Sequence, residues 1–367
     1  MQYLAVLGRL PKLSLAELES LYSDVKMISD TLATFTAKES PSISRLGGTM
    51  KLAQLLDNSP LEYLQNLPEG KITLGISDYS PRTKTYEVRK EAMKLKKILA
   101  RHGRSVRILD NKTAVLSTAT CHHNKLGIKP LRVELLRFNN TWYLGLGVQN
   151  ITAYARRDQA RPARDAKVGM LPPKLAQILL NLCGNLPSEA RILDPFCGTG
   201  VLLQEAYLMG YRPYGTDVSA RMIEYSQKNL QWLKSGDLTI GDLAVGDAMS
   251  FIWEQPIDAV ACETYLGPPM SQPPVDIKLK TAQTECRQII LGFLKNLAPQ
   301  LKSGTPLAIA VPAWRRPNGD YARLNILDEI ANLSYNVMKF KHSSQDDLLY
   351  FREGQVVARE IIVLRKK

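Results

Sequence analysis

Apolar and polar positions follow one rhythm up to about residue 165 and another beyond it. The first apolar run, Gln2–Leu7, predicts a strand, and Gly8 and Pro11 lead from it into a helix. Ser14-Leu15-Ala16-Glu17 has the form of a capping box, with Glu17 spaced to reach back to the Ser14 amide. Pro60 and the turn Pro68-Glu69-Gly70 suggest a boundary near residue 60. Beyond it the pattern predicts a strand over Ile72–Ser77, a helix over Glu87–Arg101 stopped by Gly103, and a strand over Ser105–Leu109. A helix around 117–126 and strands over Leu131–Phe138 and Trp142–Val148 complete two small α+β units.

Past residue 165, Pro172-Pro173 opens a helix over Lys174–Leu182, because a first turn has no use for the N–H that proline lacks. Strands then alternate with helices: Arg191–Leu193, helix 201–209, Tyr211–Thr216, helix Ala220–Leu233, Ile257–Ala261, helix 280–298 and Pro306–Val311. This spacing indicates a doubly wound, mostly parallel sheet. Leu348–Arg352, Glu353-Gly354 and Gln355–Leu364 predict a hairpin adding antiparallel strands at the sheet edge. The architecture is the usual one for a class I methyltransferase, although a fold alone does not give a function.

Composition narrows the class. In 367 residues, 45% are hydrophobic and 23% charged, enough to bury cores and incompatible with global disorder. No run of 18 apolar residues exists, and the start lacks a basic segment followed by a long apolar one, so neither a membrane-spanning helix nor a secretory signal is expected. Cysteines at 121, 183, 197, 262 and 286 form no C-x-x-C pair, which disfavours a thiolate zinc site or a disulfide framework. A cytoplasmic protein without a metal is expected. The net charge of +13 is uneven: residues 82–167 hold 20 basic against 6 acidic side chains. Such a window suits a polyanion-binding module joined to a nearly neutral one.

The strongest chemical signal is Asp194-Pro195-Phe196-Cys197-Gly198-Thr199-Gly200, a strand end running into a glycine loop and then a helix. Glycines let backbone approach a ligand closely, and the helix start presents free N–H groups. The run is neither the dinucleotide fingerprint nor a Walker A loop, which needs a Lys-Ser/Thr pair. Asp194 can instead pair with a ligand ammonium. Asp217 ends the next strand, where an acid bonds ribose hydroxyls in doubly wound folds, and Asp247 follows a third strand, where it can accept from an adenine amino group.

These residues resemble motif I of the S-adenosylmethionine-dependent amino-methyltransferases, which act on exocyclic amines of nucleobases. More narrowly, nearly the whole chain resembles the THUMP-containing tRNA guanine-N2 methyltransferases that modify guanosine-10. The opening Leu7-Gly8-Arg9-Leu10-Pro11-Lys12-Leu13-Ser14-Leu15-Ala16-Glu17-Leu18-Glu19 is similar to that family's start. Thr118–Leu126, with His123, Asn124 and Lys125, resembles the end of its THUMP module. Arg161-Pro162-Ala163-Arg164-Asp165 and Val168-Gly169-Met170-Leu171-Pro172-Pro173-Lys174-Leu175-Ala176 resemble its linker and first catalytic helix.

The resemblance implies an α/β, Rossmann-like class I methyltransferase domain at 171–367. Ahead of it come α+β units: a ferredoxin-like domain at 1–60, a THUMP RNA-binding domain at 61–155 and a basic linker at 156–170. It also implies S-adenosyl-L-methionine as cofactor, cradled by Asp194–Gly200, with Asp217 on its ribose and Asp247 on its adenine. The partner implied is tRNA. Relatives use a small activating subunit; without one, the chain is expected to act as a monomer.

One departure stands out. Where the family has Asp/Asn-Pro-Pro-Tyr after the fourth strand, this chain reads Cys262-Glu263-Thr264-Tyr265-Leu266-Gly267-Pro268-Pro269. Glu263 is the only nearby acid to accept from the target amine, Tyr265 can stack on the flipped base, and Gly267 and Pro268 shape the loop. Otherwise the loop is a degenerate remnant, or Glu263 caps a helix. Arg156, Arg157, Arg161 and Arg164 lie too close together to be buried unpaired, so a phosphate-contacting linker is expected rather than a solvated hinge. Cys197 has no base beside it and reads as a small filler, and His122-His123 has no second ligand cluster. Motif I alone also admits an adenine-N6 methyltransferase, and the altered loop admits a tRNA-binding protein that has lost turnover.

Overall fold

The computed structural model describes residues 1–165, 170–233 and 242–367. Val168-Gly169 of the linker therefore lies outside the described residues. The chain forms two compact units: one of Met1–Pro11, Tyr22–Ser44 and Gly48–Thr152, the other of Lys12–Leu21, Arg45–Gly47 and Ala153–Lys367.

The first unit is built on one eight-stranded sheet. Its strands are β1 (Gln2–Leu7), β2 (Ser23–Ser29), β3 (Leu32–Thr36), β4 (Thr49–Leu55), β5 (Ile72–Asp78), β6 (Val106–Ile108), β7 (Arg132–Phe138) and β8 (Thr141–Val148). They lie in the order β2-β3-β1-β4-β8-β7-β5-β6. Because β4 pairs with β8, from Lys51 against Val148 to Leu55 against Tyr143, the sheet runs without a break past residue 60. Pro60 is no linker residue: it starts a short helix whose first turn is capped by Ser59 Oγ, accepting from the Glu62 amide at 3.2 Å.

In chain order the helices are α1 (Pro11–Leu21), α2 (Pro60–Gln65), α3 (Thr85–Arg101), α4 (Thr118–His123) and α5 (Ile151–Gln159). In α3, Val88, Ala92, Leu95 and Leu99 recur at helical spacing and are buried with Ile72, Leu74 and Ile76 of β5. The sheet's inner layer also holds an ion pair. Lys51 Nζ lies 2.5 Å from Glu134 Oε1, with both side chains at most 3% exposed, and Ser77 Oγ donates to the same carboxylate at 2.6 Å.

Helix α1 departs from the expected capping box. It begins three residues ahead of Ser14, at Pro11, so Ser14 and Glu17 lie inside it and are buried. Glu17 Oε1 accepts from the Gly47 amide and from Asn181 Nδ2, each at 2.8 Å, within the second unit. A buried carboxylate needs such donors more than a helix start needs a cap.

The second unit continues with helices α6 (Pro173–Leu182), α7 (Val201–Leu208), α8 (Ala220–Leu233), α9 (Asp276–Leu297) and α10 (Leu327–Asn332). Its strands are β9 (Arg191–Asp194), β10 (Arg212–Asp217), β11 (Asp242–Val245), β12 (Ala259–Glu263), β13 (Pro306–Arg315), β14 (Tyr321–Ala322), β15 (Tyr335–Val337), β16 (Leu349–Tyr350) and β17 (Val357–Lys366). The sheet order is β11-β10-β9-β12-β13-β17-β15, parallel as far as β13 and antiparallel beyond it. This is the doubly wound sheet expected. The expected terminal hairpin forms between β16 and β17, but β17 sits inside the sheet and β15 takes the edge. Strand β17 earns that place by its burial: from Ala358 to Leu364 every side chain is buried, as the partner of an equally buried β13 must be.

Candidate active site

The strand order reverses between β9 and β12, whose carboxyl ends carry Asp194 and Glu263. Ligands of open α/β sheets bind in the crevice that opens at such a point. The residues following β9, β10, β11 and β12 are therefore brought together by topology alone.

Asp194 is buried, and its Oδ1 accepts from the Phe196 amide at 3.1 Å. No basic side chain among the described residues pairs with it. Burial pushes its carboxyl well above the usual range, and the negative charges of Asp217 and Glu263 add to that, against the Phe196 bond. A buried acid without a cation is the partner a ligand ammonium calls for.

The loop after Asp194 is a cradle of backbone. Gly198 and Gly200 adopt φ +51° and +79°, a region side chains rarely enter. A Cβ on Gly200 would lie 2.8 Å from Ser226 Oγ of α8, while Ser226 Oγ itself donates to the Gly198 carbonyl at 2.8 Å. Asp217 Oδ2 accepts from the Gly198 amide and Oδ1 from the Ser219 amide, each at 2.9 Å. Asp217 thus fixes the shape of the loop. Pro195 and Thr199 stay within the loop, and Phe196 packs edge-on against Phe293 with ring centres 5.1 Å apart. Cys197 is buried, and burial with Asp194 and Asp217 nearby pushes its thiol up, so it is an unreactive filler. Asp247 is exposed, with Oδ1 accepting from the Met249 amide at 2.9 Å. Exposed Val218, one residue after Asp217, and Met249, two after Asp247, offer apolar surface that sequence reasoning missed.

These features fit S-adenosyl-L-methionine. Asp194 suits its ammonium, the glycine turn leaves room for the amino-acid end, Asp217 suits a ribose diol, and Asp247 with Val218 and Met249 suits an adenine edge and face.

Glu263 does not cap a helix. Its Oε1 accepts from Arg359 Nε at 2.8 Å, across from β17, and the two side chains are 12% and 4% exposed. Thr264 is tied to β13, its amide and hydroxyl both donating to the Ala310 carbonyl at 3.0 and 3.2 Å. Tyr265 is half-buried, and burial with the Glu285 carboxylate beside it pushes its hydroxyl up to about 12. Gly267 turns with φ +84° over Cys286 and Trp314, and Pro268 is exposed.

The linker arginines part company. Arg157 is bound to buried Glu205 through Nε at 2.6 Å and Nη2 at 3.2 Å, which satisfies a charge that could not be buried alone. Arg161 is buried and donates to Thr199 Oγ1 of the glycine loop at 3.3 Å. Arg156, over the Trp232 ring at 5.3 Å, and Arg164, bonded to the Gln159 carbonyl, remain exposed. Buried Asn229 holds Ala163 from both sides and also donates to the Thr199 carbonyl at 2.8 Å, so linker and loop share one anchor. In the first unit His123 and Lys125 are exposed, and Asn124 Nδ2 turns back to the Thr120 carbonyl at 2.9 Å.

Residues 161–282 match the model of the UPF0020 family, described as an RMKL-like methyltransferase domain. A probable tRNA (guanine(10)-N2)-dimethyltransferase of Methanothermococcus thermolithotrophicus is 31% identical over 142 residues, 37% of this chain and 78% of that protein. The chain belongs to the tRNA (guanine(10)-N2)-dimethyltransferase family. A second member, from Methanothermobacter thermautotrophicus, is 34% identical over 43% of this chain and 44% of its own length. A third, from Pyrococcus abyssi, is 41% identical over 21% and 22%. The match thus spans less than half the length of these two family members. The structure of TrmN from Thermus thermophilus aligns over 100% of both chains at 19% identity, with a TM-score of 0.47. Among the described residues no helix is long and apolar enough to cross a membrane, and no group of three or more His, Cys, Asp or Glu side chains could hold a metal ion.

Proposed function

We propose that this protein transfers methyl groups from S-adenosyl-L-methionine to the exocyclic N2 amine of guanosine 10 in tRNA, in the cytoplasm. The observation that carries the proposal is the pair Asp194 and Glu263 at the ends of adjacent parallel strands. One acid takes the cofactor's ammonium and the other receives the nucleophile. The cofactor supplies an electrophilic methyl on a positively charged sulfur.

The protein's part is to bind and align. Glu263 Oε2, without a hydrogen bond among the described residues, accepts from the amine and turns the nitrogen lone pair toward the methyl. Tyr265 stacks on the flipped base, and Gly267 with Pro268 shapes the turn that presents it. Glu263 and Tyr265 would hold the nitrogen in line with that methyl, so that the N–C bond could form as the S–C pair returns to sulfur. The methylated nitrogen then sheds a proton to Glu263 or water, so no strong base is needed beforehand.

The first unit would grip tRNA as a ferredoxin-like domain at 1–60 and a THUMP domain at 61–155, despite the shared sheet. Lys90, Lys94, Lys97 and Arg101 recur along one exposed stripe of α3 and make no ion pair among the described residues. A groove of about 700 Å³ beside the helix is lined by Lys71, Lys96, Arg104 and Arg107, together with Arg89 paired to Asp110 at 2.9 Å. Such rows suit phosphates, as folded RNA is read largely by shape and backbone. His123, Asn124 and Lys125 would add to that surface, with Arg156 and Arg164 reaching phosphates from the linker.

Replacing guanosine 10 by inosine in a tRNA transcript tests the proposal, since inosine lacks the N2 amine. Methyl acceptance should vanish; acceptance equal to that of the guanosine transcript would contradict it.

A further inference from the structure

We infer that Arg359 is a positioning residue for methyl transfer, fixing Glu263 so that one carboxylate oxygen is occupied and the other is left for the substrate amine. The inference rests on the function proposed above and assigns it a residue 96 positions away along the chain.

Glutamate at the end of β12 poses two physical problems. It has one more rotatable bond than aspartate, so an untethered carboxylate would sample several positions. It also stands close enough to Asp194 for the two negative charges to oppose one another. Arg359 answers both. Strand β17 lies beside β13 in register, with Arg359 opposite Pro312 and Ala310 opposite Ile361. Glu263 in turn lies opposite Ala310. The arginine therefore reaches the carboxylate from a rigid sheet and not from a loop.

The guanidinium is itself held. Its Nη1 lies 3.4 Å from Gln355 Oε1 and 3.4 Å from the Val357 carbonyl, while Nε donates to Glu263 Oε1 at 2.8 Å. Glu263 Oε2 has no partner among the described residues, and the side chain keeps 12% of its surface open. A structural ion pair would gain by engaging both oxygens with the guanidinium fork. Here one oxygen is anchored and the other has no partner among the described residues. An amine donor lacks a counterpart in such a site unless a carboxylate oxygen is held ready, which is what this asymmetry provides.

The experiment compares single-turnover methyl transfer into tRNA for wild type, Arg359→Met, Arg359→Lys, Glu263→Gln and the Glu263→Gln/Arg359→Met double variant. Cofactor affinity, tRNA affinity and melting temperature are measured in parallel. Arg359→Met should lower the rate constant by about 10- to 100-fold, the scale of a misplacement near 1 Å, with both affinities kept. Arg359→Lys should recover part of the rate, since it keeps the charge without the planar fork. In the Glu263→Gln background, removing Arg359 should cost the rate no further factor. If Arg359→Met is too unstable to assay, Arg359→Gln takes its place. An equal rate loss with and without the Glu263 carboxylate would overturn the inference, as would a loss explained wholly by weaker cofactor binding. If the wild type itself transfers no methyl to tRNA, the proposed function falls together with the inference. Transfer by the wild type with no change in Arg359→Met overturns the inference alone.

Discussion

The Gly198 amide donates to Asp217 Oδ2 at 2.9 Å, so the acid that ends one strand sets the shape of the glycine loop that follows another. The Ser219 amide on the other oxygen, also at 2.9 Å, fixes the carboxylate between the two. Asp217→Ala removes both acceptors, and bonds to charged groups are each worth about 1.5–3 kcal/mol. S-adenosylmethionine affinity should fall by about tenfold or more, with little change in secondary structure. Titration calorimetry on the two proteins measures this, and an unchanged Kd would show that the loop holds its shape without Asp217.

Asp194 makes stability and binding depend on pH in opposite directions. Its carboxyl lies well above its ordinary value in the folded protein because burial disfavours the charge. Below the ordinary value both folded and unfolded chains are protonated there and the contribution to stability is complete. As pH rises through the window up to the raised value, the unfolded chain ionises more readily and that stability is lost. Asp194→Asn, always neutral, should therefore melt higher than wild type near neutrality, by an amount that shrinks as pH falls. A ligand ammonium favours the ionised acid, so wild-type cofactor affinity should rise with pH over the same window and that of the asparagine variant should not. Paired melts and titrations across the window would reveal a flat difference if Asp194 is not the group responsible.

Lys51→Met should cost the first unit about 3–5 kcal/mol, because it strands Glu134 as an unpaired buried charge. Replacing both, as Lys51→Met with Glu134→Leu, should return much of the loss, although the Ser77 hydroxyl loses its acceptor and keeps only the Leu116 amide as a donor to it at 3.0 Å. Denaturant melts of the two variants separate these outcomes. A single variant as stable as wild type would mean that water reaches Glu134.

If the α3 stripe meets phosphates, replacing Lys90, Lys94, Lys97 and Arg101 by alanine should weaken tRNA binding about equally for different tRNAs. The slope of log affinity against log salt should flatten by about one for each phosphate that is no longer neutralised. The substitutions lie on exposed positions and leave Val88, Ala92, Leu95 and Leu99 in the core, so melting should hardly move. Unaltered binding at low salt would move the RNA surface elsewhere on the unit.

What the sequence disclosed, and what it concealed, follows from how local each feature is. Strand β1 has the bounds its apolar pattern predicts, Gln2–Leu7, and helix α8 begins where expected, at Ala220. Asp194, Gly198, Gly200 and Asp217 could be placed from the sequence because one turn and two strand ends dictate their residue types. Strands β2 to β4 were not: Ser23-Asp24-Val25-Lys26 lacks clear alternation, and its pairing with β3 is interrupted by register shifts. Nor could spacing show that Arg157 faces buried Glu205, 48 residues on, or that Arg359 crosses the sheet to Glu263. Those pairings depend on which strands become neighbours, and the pattern along the chain does not encode that. The misplaced capping box has the same origin, since Glu17 is claimed by Gly47 and Asn181.

The central claim is tested most directly by incubating the protein with labelled S-adenosylmethionine and unmodified tRNA, then identifying the labelled nucleoside by mass spectrometry. Label in N2-methylated guanosine, formed far more slowly but still measurably by Glu263→Gln while cofactor binding persists, is the expected result. Label in a methylated adenosine, or none at all from a protein that binds both cofactor and tRNA, would contradict it.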